Sequence, residues 1–303
     1  MIALAPKRVA RGLRAACLTE LRVAKPGNVS MASPGHGMSA RDFVASARVA
    51  APALAAAAGG VGERVLRAVE ATRAVAGCNT NLGIVLLCAP LAHAALVPAA
   101  ERALRPRLEA VLAALDRRDA ELAYRAIRLA APGGLGTAPA HDVRAAPAVT
   151  LLEAMRTAAA WDRIAFQYAY GYADIFAFAL PCLERTLARF GPRRESLLGL
   201  YLELLARFPD SHVARRHGIR AAEELSARAA RLAARLAARG ATARFRAEAQ
   251  AFDRELKRRG VNPGTTADLT VATLFARCLA RELAAAAPAA MPWTTRVRAR
   301  RCR

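Results

Sequence analysis

Residues 82–100 read LGIVLLCAPLAHAALVPAA, a run of 19 positions that contains no lysine, arginine, aspartate or glutamate. A helix that is apolar on every side is either buried in the core of a protein or spans a membrane. The run includes Pro90, His93 and Pro98, and a polar turn with Asn79 and Asn81 stands at its start. We therefore predict that it forms the buried central helix of a soluble bundle and does not span a membrane.

The composition of the whole chain is typical of closely packed helices. Hydrophobic residues make up 55% of the 303 positions and aromatic residues only 5%, and much of the hydrophobic fraction is alanine, a strong helix former. No segment shows the sustained apolar–polar alternation of a β-strand. The sequence thus predicts an all-α fold, with a single large bundle-like helical domain over residues 1–290 and a basic, flexible tail over residues 291–303.

Apolar positions that recur every three or four residues predict the other helices. These are expected at 9–23, 41–58, 63–75, 101–115, 119–130, 150–160, 164–189, 196–207, 215–239, 243–259 and 267–286. Five polar connectors that contain glycine separate them, at 25–37, 77–83, 132–143, 208–218 and 262–268. Binding groups are usually found in loops of this chemistry, so we expect the functional site there.

The net charge of +22 is in the range of nucleic-acid-binding proteins. Only Lys7, Lys25 and Lys257 among the 46 basic residues are lysine, and the arginines are scattered over every helical segment. This pattern is typical of solvated helix faces with a few anion-binding arginines, and it disfavours a nucleic-acid partner.

The six cysteines are widely spaced and form no CxxC pair, which favours reduced thiols over a zinc site or a disulfide framework. Residues 1–21 carry charges throughout and lack the apolar stretch of a signal peptide. We therefore expect a cytoplasmic protein with no membrane partner, and a homodimer is compatible with the sequence.

Two connectors combine polar side chains with backbone amides that can hold an anion. Lys25 precedes Pro26 and Gly27 in a rigid turn whose amides can cradle a phosphate. Asn79 or Thr80 can cap the helix that follows, and the first amides of that helix can also bind an anion. An ordinary turn and an ordinary helix cap explain the same residues, so each motif alone is a weak indication.

Two further connectors place carboxylates beside arginines or at a helix start. Asp210 can bind a metal or accept a proton, and Arg215 and Arg216 can hold phosphate oxygens through forked hydrogen bonds. Gly264 belongs to a turn before a helix that carries Asp268 among its first residues. A helix cap and an acid favoured by the helix dipole account for these residues equally well.

The order of these motifs is more specific than any one of them. Across about residues 20–275 the chain carries Lys-Pro-Gly, then Gly-x-Asn-Thr-x-x-Gly, then Asp-Ser/Thr-x-Val-x-x-Arg-x-Gly, then Pro-Gly-x-x-Ala-Asp-Leu. In this order they resemble the triphosphoribosyl-dephospho-CoA synthase family. The resemblance implies an all-helical enzyme that takes ATP, breaks the bond between ribose and adenine, and joins the triphosphoribosyl group to dephospho-CoA.

Three stretches depart from the family pattern. Asn81 and Leu82 stand where the citrate-lyase type has histidine and lysine, His217 replaces a glycine, and the loop 132–143 replaces the usual middle loop. These departures resemble a divergent branch that accompanies one-carbon pterin (tetrahydromethanopterin) pathways. The expected acceptor is therefore dephospho-CoA or a pterin-cofactor precursor.

The resemblance also suggests roles for the motif residues around ATP and Mg²⁺. The triphosphate requires cations, Mg²⁺ requires carboxylate and phosphate oxygens, and the acceptor hydroxyl requires a base. We predict Asp210, Asp268 and His36 as catalytic residues, Asp210 and Asp268 as Mg²⁺ ligands, and Lys25, Gly27, Asn28, Asn79, Thr80, Arg215, Arg216 and Gly264 as ATP-binding residues.

Two other functions are compatible with the sequence. A Mg²⁺-dependent glycohydrolase of the ADP-ribosyl type is also helical and would use water as the acceptor. A basic helical nucleic-acid-binding or scaffold protein would instead bind any duplex in a salt-sensitive manner. Acidic residues inside the glycine-containing turns favour an enzyme over this last class.

Overall fold

The computed structural model describes residues 1–286, which form fourteen α-helices and no β-sheet. The helices are α1 (Pro6–Leu21), α2 (Ala40–Leu54), α3 (Val61–Ala76), α4 (Leu82–Leu96), α5 (Leu104–Ala113), α6 (Arg117–Ala130), α7 (Leu151–Ala158), α8 (Arg163–Ala169), α9 (Leu180–Phe190), α10 (Arg194–Arg207), α11 (Ser211–His217), α12 (Ile219–Arg239), α13 (Ala243–Arg258) and α14 (Gly264–Ala285). The predicted all-α fold class is thereby confirmed. The predicted basic tail, 291–303, and the end of the predicted 1–290 domain lie outside the described residues.

Helix α4 is the buried centre of the fold, as its sequence predicts. Twelve of its 15 residues are buried, and α1, α2, α3, α5, α8 and α14 pack around it. The helix ends before Pro98, and Arg107 of α5 donates hydrogen bonds to the carbonyl oxygens of Ala94 and Val97 at that end. Within residues 1–286, no helix combines the length and apolar character needed to cross a membrane.

A second, smaller core lies among the C-terminal helices. Tyr201, Phe245 and Phe252 are buried in it, between α10, α12 and α13. Helix α14 connects the two cores, because Ala267 packs in the smaller one while Phe275 packs in the core around α4. The start of α14 is therefore held at the junction of the two cores.

Two predictions about helix boundaries are wrong. Residues 164–189, predicted as one helix, form α8, a turn, a π-helical segment (Asp174–Ala179) and α9. The chain breaks there because Gly171 and Tyr172 adopt left-handed backbone conformations, and the Tyr172 hydroxyl is held by a 2.9 Å hydrogen bond to the carbonyl oxygen of Leu87. Residues 208–218, predicted as a connector, contain α11, which Gly218 separates from α12 with a φ of 87°.

The contact between α3 and α6 leaves no room for a side chain at Gly62. A Cβ atom there would lie 2.7 Å from both Cα and the carbonyl oxygen of Asp119. We expect Gly62→Ala to lower the free energy of unfolding by about 1–3 kcal/mol, because the two helix backbones would have to separate. Urea denaturation measures this loss, with the exposed Ala74→Ser variant of α3 as control. Equal stability of the two variants would contradict the close packing.

Candidate active site

A cavity of about 770 Å³ opens between the starts of α4 and α14. All five polar connectors contribute to its walls, together with the end of α6, α7 and the start of α8. The cavity lies where the start of α14 joins the two cores, so its walls are fixed by helix packing on both sides. It is the place in the described structure where the motif residues come together.

The wall at the start of α4 is built from three consecutive polar residues. Asn79 accepts a hydrogen bond from the amide of Leu82 at 3.1 Å, and the hydroxyl of Thr80 lies 2.6 Å from that of Ser46 in α2. The amide group of Asn81 donates to the hydroxyl of Thr72 in α3 at 3.1 Å. These bonds hold the start of α4 against α2 and α3, and the helix presents its first turn to the cavity.

Asp268, the fifth residue of α14, faces this wall. A Cβ atom at Gly83 would lie 2.0 Å from Oδ2 of Asp268, so only glycine allows the carboxylate to lie against α4. Within residues 1–286, no protein donor hydrogen-bonds to the Asp268 carboxylate. Burial raises the pKa of Asp268 well above its usual value, and the nearby charges of Asp210, Glu20 and Asp162 raise it further. A carboxyl group in this state is a common feature of catalytic sites.

Glu20, at the end of α1, is a second carboxylate in the cavity wall. Its side chain is buried, and Oε1 lies 3.0 Å from the ammonium nitrogen of Lys25. That contact is an ion pair without hydrogen-bond geometry, since Oε1 has no hydrogen-bond partner among the described residues. Burial raises the pKa of Glu20, and the charge of Lys25 acts against this rise.

Lys25, predicted as an ATP-binding residue, does not line the cavity. Its ammonium group is fully buried and donates to the carbonyl oxygens of Glu20, Val23 and Val29 at 2.9, 2.8 and 3.4 Å. With the Glu20 carboxylate beside it, the ammonium has no free direction toward a phosphate. Lys25 therefore ties the first connector to the end of α1 and holds Glu20 in place.

Asp210, predicted as a catalytic residue and Mg²⁺ ligand, is likewise absent from the cavity wall. Oδ1 accepts a hydrogen bond from the amide of Val213 at 3.0 Å, and Oδ2 accepts from the amide and the hydroxyl of Thr266, each at 2.8 Å. Both oxygens of this buried carboxylate are thus bonded to protein donors. Asp210 caps α11 and fastens it to the start of α14.

The first connector contributes His36 and Asn28 to the cavity. The imidazole Nε2 of His36 lies 2.8 Å from the carbonyl oxygen of Gly27, so a neutral ring donates from Nε2 and leaves Nδ1 as its acceptor. Asn28 donates to the side-chain oxygen of Asn262 at 2.9 Å, which links this connector to the one before α14. Gly27 itself lies behind the wall, where its left-handed backbone packs against Pro263.

Helix α11 brings three basic side chains to the cavity wall. Arg215 lies 3.2 Å from Asp162, whereas Arg216 is exposed beside Gly133 and Gly134 and has no ion-pair partner within residues 1–286. Burial and the charges of the two arginines lower the pKa of His212 to about 4, so its ring is neutral at neutral pH. The cavity is therefore lined by the carboxyl groups of Glu20 and Asp268, which we call its anionic side, and by the guanidinium groups of α11, which we call its cationic side.

Of the eleven residues predicted for the site, eight line this cavity: Asn28, His36, Asn79, Thr80, Arg215, Arg216, Gly264 and Asp268. Lys25, Gly27 and Asp210 lie behind it. Sequence reasoning missed Glu20, His212 and Trp161, which the cavity also includes. One feature of the sequence could have indicated Glu20, because a lysine that becomes buried requires a carboxylate partner.

The described residues offer carboxylates for a metal but no complete metal centre. No group of three histidine, cysteine, aspartate or glutamate side chains converges within residues 1–286. Mg²⁺ is usually held in proteins by one or two carboxylates together with substrate phosphates and water. Glu20 and Asp268 fit that pattern, because neither carboxylate is saturated by protein donors.

Comparison with known proteins finds a matching family and matching solved structures. The family model described as ATP:dephospho-CoA triphosphoribosyl transferase (CitG) matches residues 6–286. A crystal structure from Archaeoglobus fulgidus that carries the name triphosphoribosyl-dephospho-coA synthase is 27% identical and covers 77% of this chain and 97% of its own, with a TM-score of 0.57. None of the curated proteins matches the chain.

Lys25→Met tests the structural position of the lysine. Removing the ammonium leaves the buried Glu20 carboxylate without its counter-ion, and breaking a buried pair in this way costs about 3–5 kcal/mol. We expect the thermal unfolding midpoint to fall clearly, while the exposed Lys7→Met control changes it little. Unchanged stability combined with weaker ATP binding would instead restore the predicted phosphate contact.

Proposed function

Because this chain belongs to the ATP:dephospho-CoA triphosphoribosyl transferase family, we propose that it moves the triphosphoribosyl group of ATP to an acceptor hydroxyl and releases adenine. The observation that carries the proposal is the presence of both kinds of charge in one cavity. The guanidinium groups of Arg215 and Arg216 and the carboxyl groups of Glu20 and Asp268 all line it. The arginines suit a triphosphate, and the carboxyl groups suit a positively charged sugar carbon.

The proposed reaction exchanges one bond at the anomeric carbon of ribose for another. The bond from this carbon to adenine breaks, and a bond to the acceptor oxygen forms. The adenine nitrogen keeps the electron pair and is protonated, while the acceptor hydroxyl loses its proton to a base. Such displacements pass through an oxocarbenium-like state, which nearby carboxylates stabilise. Asp268 and Glu20 are the groups in this cavity that can supply that negative charge.

His36 is the proposed base for the acceptor hydroxyl. In its neutral form the ring donates from Nε2 to the carbonyl oxygen of Gly27, and this bond fixes the ring orientation and leaves Nδ1 able to accept a proton. General base catalysis of this kind contributes about 10²–10⁴-fold to a rate. Asn79 and Thr80, at the start of α4, are placed to bind the ribose or a phosphate oxygen beside the first amides of the helix.

Mg²⁺ is proposed to be held by Asp268, with Glu20 beside it. The fit follows from the donor set, because Asp268 accepts no hydrogen bond from residues 1–286 whereas both oxygens of Asp210 do. When bound there, Mg²⁺ would neutralise part of the triphosphate charge, as hard cations prefer carboxylate and phosphate oxygens. The predicted pair Asp210 and Asp268 is thus replaced by Glu20 and Asp268.

The acceptor is proposed to be dephospho-CoA or a pterin-cofactor precursor. Two of the stretches that depart from the family pattern, around Asn81 and Leu82 and along 132–143, line the cavity. Substitutions in a cavity wall change what fits there, and this supports the pterin-cofactor precursor as an alternative to dephospho-CoA.

The direct test is incubation with ATP and Mg²⁺ together with each acceptor, with adenine followed by chromatography and the product by mass. Adenine release that depends on dephospho-CoA or on the pterin precursor, with the triphosphoribosyl mass added to that acceptor, would establish the transfer. Adenine release with free triphosphoribose as the product would show that water is the acceptor and that the protein is a hydrolase. Absence of adenine release with every acceptor would contradict the proposal.

Asp268→Asn removes a negative charge from the anionic side without changing its volume. We expect the turnover number for adenine release to fall by at least about 100-fold, the scale of losing a positioned charge in an active site. The exposed Glu224→Gln variant of α12 serves as a charge-matched control and should keep full turnover. Normal turnover in Asp268→Asn would remove this residue from the reaction.

Arg216→Gln tests the cationic side. Hydrogen bonds to charged groups are worth about 1.5–3 kcal/mol, so loss of this guanidinium should raise the KM for ATP about 10- to 100-fold. Arg220→Gln, at the exposed start of α12, removes the same charge outside the cavity and should leave the KM near its original value. Equal KM values for the two variants would place the triphosphate elsewhere.

A further inference from the structure

The cavity has an apolar part that the proposed reaction at the anomeric carbon does not use. We name as the apolar lobe the wall formed by Ile127, Leu135, Leu151, Met155, Ala158 and Trp161. These residues come from the end of α6, the loop after it, α7 and the turn between α7 and α8. Asp142 and Asp162, in the same loop and turn as Leu135 and Trp161, also line the cavity, so the lobe is an apolar part of one continuous cavity.

Trp161 is the unusual member of this wall. Half of its surface, 50%, is exposed, although its neighbours Leu151 and Met155 are buried. Large aromatic side chains gain much of their stabilisation from burial, and isolated exposed ones on convex surfaces are common. Trp161 is different because it lines a concave cavity together with Leu135, which is also exposed.

The backbone around Trp161 is held firmly in place. The amide of Trp161 donates to the carbonyl oxygen of Ala158 at 3.1 Å, and Asp162 caps α8 by accepting from Ile164 and Ala165. Asp162 also pairs with Arg215 of the cationic side. The indole is therefore adjacent in sequence to a residue that contacts the cationic side.

The loop opposite Trp161 is ordered by its own hydrogen bonds. The hydroxyl of Tyr124 donates to the carbonyl oxygen of His141 at 2.6 Å, and Asp142 accepts from the amide of Ala138 at 2.8 Å. Leu135 lies in this same loop. The apolar lobe is thus a preformed compartment with a flat aromatic platform and aliphatic walls.

We propose that the apolar lobe binds a flat heteroaromatic ring, a purine or a pterin, stacked on Trp161. Every base offers a π-face to an aromatic platform, and leucine, isoleucine and methionine side chains suit the ring edge and the opposite face. The inference rests on the proposed function, in which the donor ends in adenine and either acceptor carries a ring. The ring can therefore come from the donor or from the acceptor.

The tryptophan content of the chain provides a readout that needs no turnover. The two tryptophans are Trp161 and Trp293, so Trp293→Phe leaves Trp161 as the single indole reporter in the full-length protein. We expect adenosine, ATP or dephospho-CoA to quench or shift its fluorescence with saturation, whereas inorganic tripolyphosphate, which has no ring, does not. If none of the ring compounds, including a tetrahydropterin, changes the emission, or if tripolyphosphate changes it equally, the inference is overturned.

Steady-state kinetics then identify the source of the ring. Stacking on an aromatic side chain is strong enough for Trp161→Ala to raise the KM of the ring-bearing substrate about tenfold, and Trp161→Phe should restore most of the affinity. A rise confined to ATP assigns the lobe to the donor adenine, and a rise confined to dephospho-CoA or the pterin precursor assigns it to the acceptor. Unchanged KM values for all of these substrates would overturn the inference.

The matched control is Tyr170→Ala, which removes an aromatic ring that is 58% exposed and lies outside the cavity lining. Failure of the proposed transfer and failure of the ring-binding lobe would give different results. Saturable quenching without adenine release would contradict the proposed transfer while leaving a ring-binding lobe. Transfer that proceeds with no effect of any ring compound on Trp161 would leave the proposed function and remove the lobe.

Discussion

The starts of α4 and α14 approach so closely that position 83 cannot carry a side chain. A Cβ atom there would overlap the carboxylate of Asp268. Helix α4 is apolar on every side and must be buried, and α14 is shared by two cores, so packing fixes both helices along their lengths. The first turn of one and a carboxylate of the other are therefore held at a common wall. This contact fixes one wall of the cavity, and the five connectors complete the others.

Buried polar groups behind the cavity explain why a motif contains more charged residues than a substrate can touch. Lys25 pairs with Glu20 and three carbonyl oxygens, and Asp210 bonds to the starts of α11 and α14. A buried charge is tolerated only when its partners are in place, so each of these residues depends on the connector around it. The charged residues of each motif thus divide into supports, such as Asp210, and cavity groups, such as Arg216.

The sequence predicts those features of the fold that local periodicity determines. The buried helix α4 and the amphipathic helices follow from the spacing of apolar residues, because that spacing is set by the helix itself. The break before the π-helical segment could not be predicted, since Tyr172 holds its left-handed conformation through a hydrogen bond to α4, a partner remote in sequence. In the same way, which side of a connector a side chain faces depends on tertiary packing. That is why Lys25 lies behind the cavity while Glu20, for which no role was predicted, lines it, and why Trp161, between two predicted helices, is not in any connector.

The electrostatics of the cavity favour a ligand that carries both phosphates and a cation. Burial and neighbouring carboxylates raise the pKa of Asp268, and Arg215 and Arg216 help to lower the pKa of His212. Like charges therefore disfavour further charge of the same sign: Asp268 resists ionisation, and His212 resists protonation. Phosphate oxygens beside α11 would offset the positive charge of the arginines. A divalent cation beside Asp268 would offset the negative charge there and favour the ionised carboxyl group. A neutral sugar or a free base would offset neither charge. The charge pattern therefore selects the triphosphate end of the donor, and discrimination among acceptors is left to the shape of the remaining wall.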